Sequence, residues 1–94
     1  MPKLKIIYEG QFKRDYKRAV KRGLNPDKLS EIVSMIADMK PLPPQNKDHK
    51  LETSRNYKNM RECHIESDWL LVYQILKDVL ILRLVRTGTH SDLF

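Results

Sequence analysis

Cysteine is almost absent from this 94-residue chain, with Cys63 standing alone. A single thiol excludes an internal disulfide framework, and the lack of a CxxC pair excludes the usual thiolate zinc sites. Long apolar runs are missing too. Met1-Pro2-Lys3-Leu4-Lys5 leads straight into a short strand-like stretch, so neither a signal peptide nor a membrane-spanning helix is expected. A cytoplasmic location follows as an expectation. Histidine is scarce, and His49, His64 and His90 include no HxH or HxxxH pair. Zinc ligands usually show such short spacing in at least one pair, so no metal and no other cofactor is expected. Without repeats or low-complexity tracts, residues 1–94 read as one small domain.

Basic residues dominate what remains. Lys and Arg number 18 against 12 acids, for a formal net charge of +6 and a pI of about 9.6. Such a surface attracts polyanions, either nucleic acid or an anionic membrane, although charge of this size also serves plain solubility. The 40% hydrophobic and 32% charged composition is that of a folded globular domain.

The hydrophobic pattern changes period halfway along the chain. Leu4, Ile6 and Ile7 predict a first strand. From Glu9 to Arg22, Phe12, Tyr16, Ala19 and Val20 fall on one helical face. The outer face carries Lys13, Arg14, Lys17, Arg18, Lys21 and Arg22. Gly23 suits the left-handed stop of that helix. Asn25-Pro26-Asp27 restarts a second one, with Asn25 as N-cap and Leu29, Ile32, Val33 and Ile36 as its buried stripe. Pro41, Pro43 and Pro44 end it in an extended loop. Three strand-like runs come next: Tyr57 to Glu66, Trp69 to Leu76 and Val79 to Arg86. The last two are joined by the two residues Lys77-Asp78. The order β-αα-βββ predicts an α+β domain with a helical hairpin packed on an antiparallel sheet.

Glu62, His64, Glu66 and Asp68 alternate along the run that starts at Tyr57 and just past its end, which sends them to one sheet face if the strand is regular. A face so polar is either an active site or a solvated surface. Cys63 points the opposite way from His64, which argues for a core thiol and against a Cys–His nucleophile pair. His90 follows Arg86-Thr87-Gly88-Thr89, and the Leu93-Phe94 pair beyond it is expected to dock and hold His90 near the sheet.

Three blocks together resemble one family. Lys47-Asp48-His49-Lys50-Leu51, the run from Arg61 to Trp69 (RECHIESDW) and the run from Arg86 to Phe94 (RTGTHSDLF) look like the YafQ branch of RelE-type toxins. The β-αα-βββ order is similar as well, so the resemblance spans nearly the whole chain. It implies a small sheet with two helices and a type II toxin that cleaves mRNA in the ribosomal A site. It also implies an active site of His49, His64, Asp68 and His90. Glu62, Arg61, Trp69, Arg86 and Phe94 are expected to contact substrate, Phe94 as the terminal aromatic that positions a base. Glu62 stands where a close relative has aspartate, so the acid is kept with a different reach. The basic helix is expected to touch RNA or the ribosome. A neighbouring antitoxin of the DinJ/RelB type is implied, in a heterotetramer that binds operator DNA through the antitoxin.

The chemistry rests on elementary rules. An RNA 2′-OH can attack the adjacent phosphorus, given a base for its proton, an acid for the departing 5′-oxygen and positive charge on the phosphorane. Imidazole, with an unperturbed pKa of about 6.5, can take either proton role without a metal. His90 is expected to be the acid, with His49 and His64, assisted by Asp68, on the base side. A ParE-like toxin that binds DNA gyrase is the alternative, as is an RNA-binding module without catalysis. Neither has a use for the histidine and aspartate set.

Overall fold

In the computed structural model, which describes residues 3–51, 57 and 59–94, the chain runs β1 (Lys5–Tyr8), α1 (Gly10–Lys21), α2 (Pro26–Ala37), β2 (His49–Lys50), β3 (Arg61–Glu66), β4 (Trp69–Leu76), β5 (Ile81–Gly88) and α3 (His90–Leu93). The expected α+β order is present, extended by the short strand β2 and the closing turn α3. Residue 58, within the expected run from Tyr57 to Glu66, lies outside the described residues, as do Met1 and Pro2. No helix among the described residues is long and apolar enough to cross a membrane.

Local signals act where the sequence places them. Gly23 adopts φ +86° and its N–H bonds Val20 O at 3.0 Å, closing α1. The Asn25 side chain accepts from the Asp27 N–H at 2.9 Å, and Pro26 occupies the first turn of α2. The β4–β5 connection differs from expectation. Lys77–Val79 forms one tight helical turn, and the chain reverses at Leu80, which takes the left-handed conformation. Lys-Asp lacks the tolerance for positive φ that a two-residue hairpin turn needs, so the connection lengthens and β5 begins at Ile81.

The sheet has the order β1-β5-β4-β3-β2. Strands β2 to β5 are antiparallel neighbours, but β1 pairs parallel with β5, from Lys5 opposite Ile81 to Tyr8 opposite Leu84. The sheet is therefore mixed, not wholly antiparallel. Hairpins fix the sense of consecutive strands only. β1 reaches its partner after the helical pair and the whole meander, so no turn forces it to run opposite to β5.

Both sheet faces bury apolar side chains. On the helical face, Cys63, Ile65, Trp69, Leu71, Tyr73, Leu82 and Leu84 pack with Phe12, Leu29, Ile32, Val33 and Ile36. On the other face Leu70, Val72, Tyr57 and Leu93 form a smaller cluster, with Val85, Met60 and Leu51 at its edge. This explains why β4 reads as a continuous apolar run.

One member of the expected α1 stripe is replaced. Val20 is 45% exposed, whereas Asp15 is 2% exposed and occupies the centre of the buried face. Its carboxylate accepts from Arg86 Nε at 2.7 Å, Arg86 Nη2 at 3.2 Å, the Thr87 N–H at 3.2 Å and Gln11 Nε2 at 3.0 Å. Burial pushes this carboxyl up, but the hydrogen bonds from Arg86, Gln11 and Thr87 together outweigh it and hold the group below the usual carboxylate range. Asp15→Ala, which leaves the Arg86 guanidinium without its partner, should cost about 3 kcal/mol and lower Tm by roughly 12 °C or more. Because folding lowers this pKa, the stabilisation is present above the unfolded carboxyl pKa of about 3.9 and fades as pH falls below it. Urea unfolding at pH 7 and pH 3 checks this. The gap between wild type and variant should shrink at pH 3, and an undiminished gap would show that the charge is not what stabilises.

Candidate active site

Strand register brings the candidate residues into two rows. His49 on β2 lies opposite Glu62 on β3, Glu62 opposite Val72 on β4, and Val72 opposite Arg86 on β5. In the next row His64 lies opposite Leu70, and Leu70 opposite Gly88. These side chains leave the face away from the helices. β5 ends at Gly88, and the chain turns through Thr89 into α3, which returns His90 above the second row. The His64 and His90 rings meet edge to face with centroids 5.6 Å apart.

Each imidazole has a defined neighbour. Glu62 Oε1 stands between His64 Nε2 at 3.6 Å and His49 Nε2 at 3.9 Å, although Glu62 itself is only 5% exposed. His49 Nδ1 donates to the Lys47 carbonyl at 2.7 Å, leaving Nε2 for chemistry. The Lys47 backbone is left-handed (φ 47°) at this point, which bends the loop into β2. The buried Asn46 side chain donates to the His64 carbonyl at 2.7 Å and ties the same loop to β3.

Asp68 does not serve His64, as the alternation suggested, but His90. Its Oδ1 accepts the His90 backbone N–H at 3.0 Å and its ring Nδ1–H at 2.8 Å. Those two bonds hold the Asp68 carboxyl below its ordinary range. They also direct the His90 Nε2 away from the carboxylate. Glu66 leaves the set entirely. The β3–β4 register shifts between His64 and Glu66, and this bulge turns Glu66 to Lys28 Nζ on α2 at 2.6 Å.

Two expected substrate contacts point elsewhere. Trp69 is 2% exposed in the helical-side core, where its Nε1 donates to Thr87 Oγ1 at 2.9 Å. Its indole holds β4 to β5 and presents no surface to a substrate. Arg61 lies one residue out of phase with Glu62, and its guanidinium bonds Asp48 at 3.2 Å on the other side of the sheet. There Asp48 also accepts from the Tyr73 hydroxyl, beside an open groove of about 900 Å³ that Met39, Leu42 and Lys77 help to line. Arg86 stays on the site face, held by Asp15, with Nη1 3.5 Å from the Tyr57 hydroxyl. Phe94 is 58% exposed beside it and meets the Tyr57 ring edge to face at 5.4 Å.

The basic helix divides into two sets. Arg14 bonds Gln11, Arg18 bonds Asp15, and Arg22 forms a two-pronged pair with Asp92 at 2.7 and 3.3 Å. The hydrogen bond from Arg22 holds the Asp92 carboxyl well below the usual range. Lys13, Lys17 and Lys21 are exposed and form no salt bridge among the described residues. Sequence reasoning did not find Asp15, Asn46 or Tyr57. Asp15 alone carried a signal, since its position three residues after Phe12 and four before Ala19 falls on the buried stripe.

A basic α+β domain with histidines and carboxylates gathered on the free face of a mixed sheet has the architecture of RelE-like toxins. The E. coli toxin YafQ, solved in its complex with DinJ, superposes with a TM-score of 0.86 at 39% identity, covering 98% of both chains. A metal-bound toxin from Helicobacter pylori superposes with a TM-score of 0.89 at 44% identity, covering 97% of this chain and 99% of that one. The mRNA interferase toxin YafQ of E. coli strain B is 42% identical over 90 residues, 95% of this chain and 94% of the relative. Residues 4–94 match the family model for the bacterial toxin YafQ of type II toxin–antitoxin systems. The chain belongs to the YafQ toxin family.

Cys63 adjoins His64 in sequence but has no part in the site. It is fully buried on the helical side, and burial pushes its thiol up to about 12. At pH 8 the thiolate fraction is then on the order of 10⁻⁴. Ellman's reagent should leave native protein untouched and titrate one thiol in guanidinium. Rapid labelling without denaturant would show that β3 opens readily.

Proposed function

We propose that this toxin is an endoribonuclease that cuts mRNA by acid–base catalysis between His64 and His90. The observation that carries the proposal is the meeting of these two imidazoles, each with its own carboxylate, on an exposed face. The base removes the proton from a 2′-OH as that oxygen bonds to phosphorus. The P–O5′ bond breaks, and the acid returns a proton to the departing 5′-oxygen. The products are a 2′,3′-cyclic phosphate and a 5′-OH, and protons balance within the site.

His90 is the acid. Its Nδ1 is engaged with Asp68, which turns Nε2 outward to donate. His64 is the base, and a proton it gains meets Glu62. His49, on the far side of Glu62, supplies further positive charge to the phosphorane when protonated. Phe94 offers an exposed ring for a base to stack on, and Arg86 lies beside it. Lys13, Lys17 and Lys21 supply phosphate or ribosomal RNA contacts, so binding weakens steeply with salt.

The substrate is mRNA on the ribosome, in the cytoplasm. E. coli YafQ is solved with DinJ, and an antitoxin of the same DinJ/RelB type, with an acidic tail, suits the +6 charge here. A heterotetramer that binds operator DNA through the antitoxin completes this reading.

Glu62, His64 and His90 offer ligand atoms all within 4.8 Å of one another, a convergence that sequence spacing concealed. A transition metal ion fits such a donor set, and the H. pylori relative is described as metal-bound. A metal here would take the nitrogens that proton transfer needs. Zinc should therefore inhibit, and toxin stripped with EDTA and dialysed before it is added to ribosomes should cleave as before; loss of activity on stripping would overturn the metal-free reading.

Primer extension on mRNA in a purified translation system tests the enzyme. His90→Ala and His64→Ala should each lower cleavage by about 10²–10⁴-fold while the fold is retained. Wild-type cuts on naked RNA would keep the enzyme and remove the ribosome. Full cleavage by His90→Ala would refute its role. No cleavage by wild type would favour a gyrase-binding toxin.

A further inference from the structure

The turn that carries His90 is four residues long, too short to keep a helical shape unaided. Its direct link to the site, the His90–Asp68 contact, joins two exposed side chains, 55% and 62% accessible, and exposed pairs of this kind hold weakly. Something else must set where His90 stands.

Asp92 is the centre of that arrangement. Its side chain is 13% exposed. Oδ2 accepts the Thr89 N–H at 2.9 Å while Thr89 Oγ1 accepts the Asp92 N–H at 3.1 Å, a reciprocal cap on α3. Gly88 makes room for it, since a Cβ there would lie 2.8 Å from Asp92 Oδ2 and 3.0 Å from its Cβ. Among the described residues, the one hydrogen-bond partner of the Asp92 side chain outside the turn is Arg22 at the end of α1, 70 residues away in sequence, through a two-pronged bond. α1 is in turn fixed on β5 through Asp15.

We propose that Arg22 and Asp92 are a positioning pair that holds the His90 turn over the active site, so that the basic helix α1 sets the geometry of proton transfer. The inference rests on the nuclease reading for its kinetic consequence. It also reassigns Arg22, whose place among basic residues otherwise marks it as an RNA contact. A guanidinium whose charge is paired through two prongs with one carboxylate attracts a phosphate less than a free cation does. Lys17 and Lys21 on the same helix are uncommitted by comparison.

The two roles of Arg22 predict different kinetics. Asp92→Ala frees the guanidinium, so a pure RNA contact predicts unchanged kcat and an unchanged or lower KM. The positioning pair predicts a fall in kcat of about 10–100-fold with KM little changed, the penalty of a misplaced reacting group. Arg22→Ala should cause a similar fall in kcat, and the double variant should be no slower than Asp92→Ala alone. Arg22→Lys, which keeps the charge but loses the second prong, should fall between Arg22→Ala and wild type. Unchanged kcat in either single variant, or additive losses in the double variant, would overturn the proposal.

His90→Ala run in the same assay reports on the nuclease reading. If it cleaves like wild type, that reading has failed and the kinetic arm falls with it. Amide exchange at Leu93 and Phe94 then decides alone. Both should exchange at least tenfold faster in Asp92→Ala and in Arg22→Ala, with Tm and far-UV circular dichroism near wild type. Unchanged protection in either variant would show that the pair does not hold the turn.

Discussion

Asp15 places a negative charge inside the domain, and its hydrogen bonds span the interface between helix and sheet. Arg86 and the Thr87 N–H belong to the last three residues of β5. An apolar residue at position 15 could pack there, but it would specify neither the rotation of α1 nor the direction of the Arg86 side chain. A buried carboxylate can be satisfied in few geometries, because each lone pair needs a donor. Helix, strand end and guanidinium are thereby fixed together. The turn to His90 leaves directly from this end of β5, so the placement of the site's last histidine depends on the Asp15 contact.

The sheet separates two kinds of demand. Its helical face carries the larger core and needs only volume and close packing, which Trp69, Leu71, Tyr73 and Leu84 provide. Its other face must present polar groups to a polyanion while remaining rigid. The small cluster of Tyr57, Leu70, Val72 and Leu93 answers this by packing under and beside the polar rows. Leu93 is the connection between the two demands. It is 5% exposed, its carbonyl accepts from the Tyr57 hydroxyl at 3.0 Å, and it lies three residues from His90.

Much of this was legible in the sequence, and the reasons are physical. Capping at Asn25, the stop at Gly23 and the apolar periods of α2 and β4 are local effects, and local effects survive into the fold. The three histidines could be named because imidazole has few common uses on a basic surface. Partner assignments were not legible, since they depend on register. The bulge after His64 sends Glu66 to Lys28 and leaves Asp68 to His90, and nothing within RECHIESDW announces that slip. Trp69 was expected at the substrate only through the resemblance; simple alternation from Cys63 and Ile65 leads to the helical side, where it is buried. The parallel pairing of β1 was hidden because it joins residues more than seventy positions apart in the chain.

An active site on the open face of a small domain carries an internal conflict. Groups that touch RNA must be exposed, and exposed ion pairs hold their geometry weakly in water. His90 and Asp68 show the problem plainly, since more than half of each side chain is accessible. The domain transfers the work of positioning to less exposed atoms one step away: Glu62 between two imidazoles, Asn46 on the His64 carbonyl, Asp92 within the closing turn and Leu93 beneath it. Each is less exposed than the group it steadies. Such second-rank residues contribute no proton to the reaction, yet a displacement of 1 Å at the reacting atoms can cost about 10²-fold in rate. The demands of catalysis therefore reach past the histidines, through Asp92 and Arg22, to a helix whose charge pattern alone suggests nothing more than attraction to RNA.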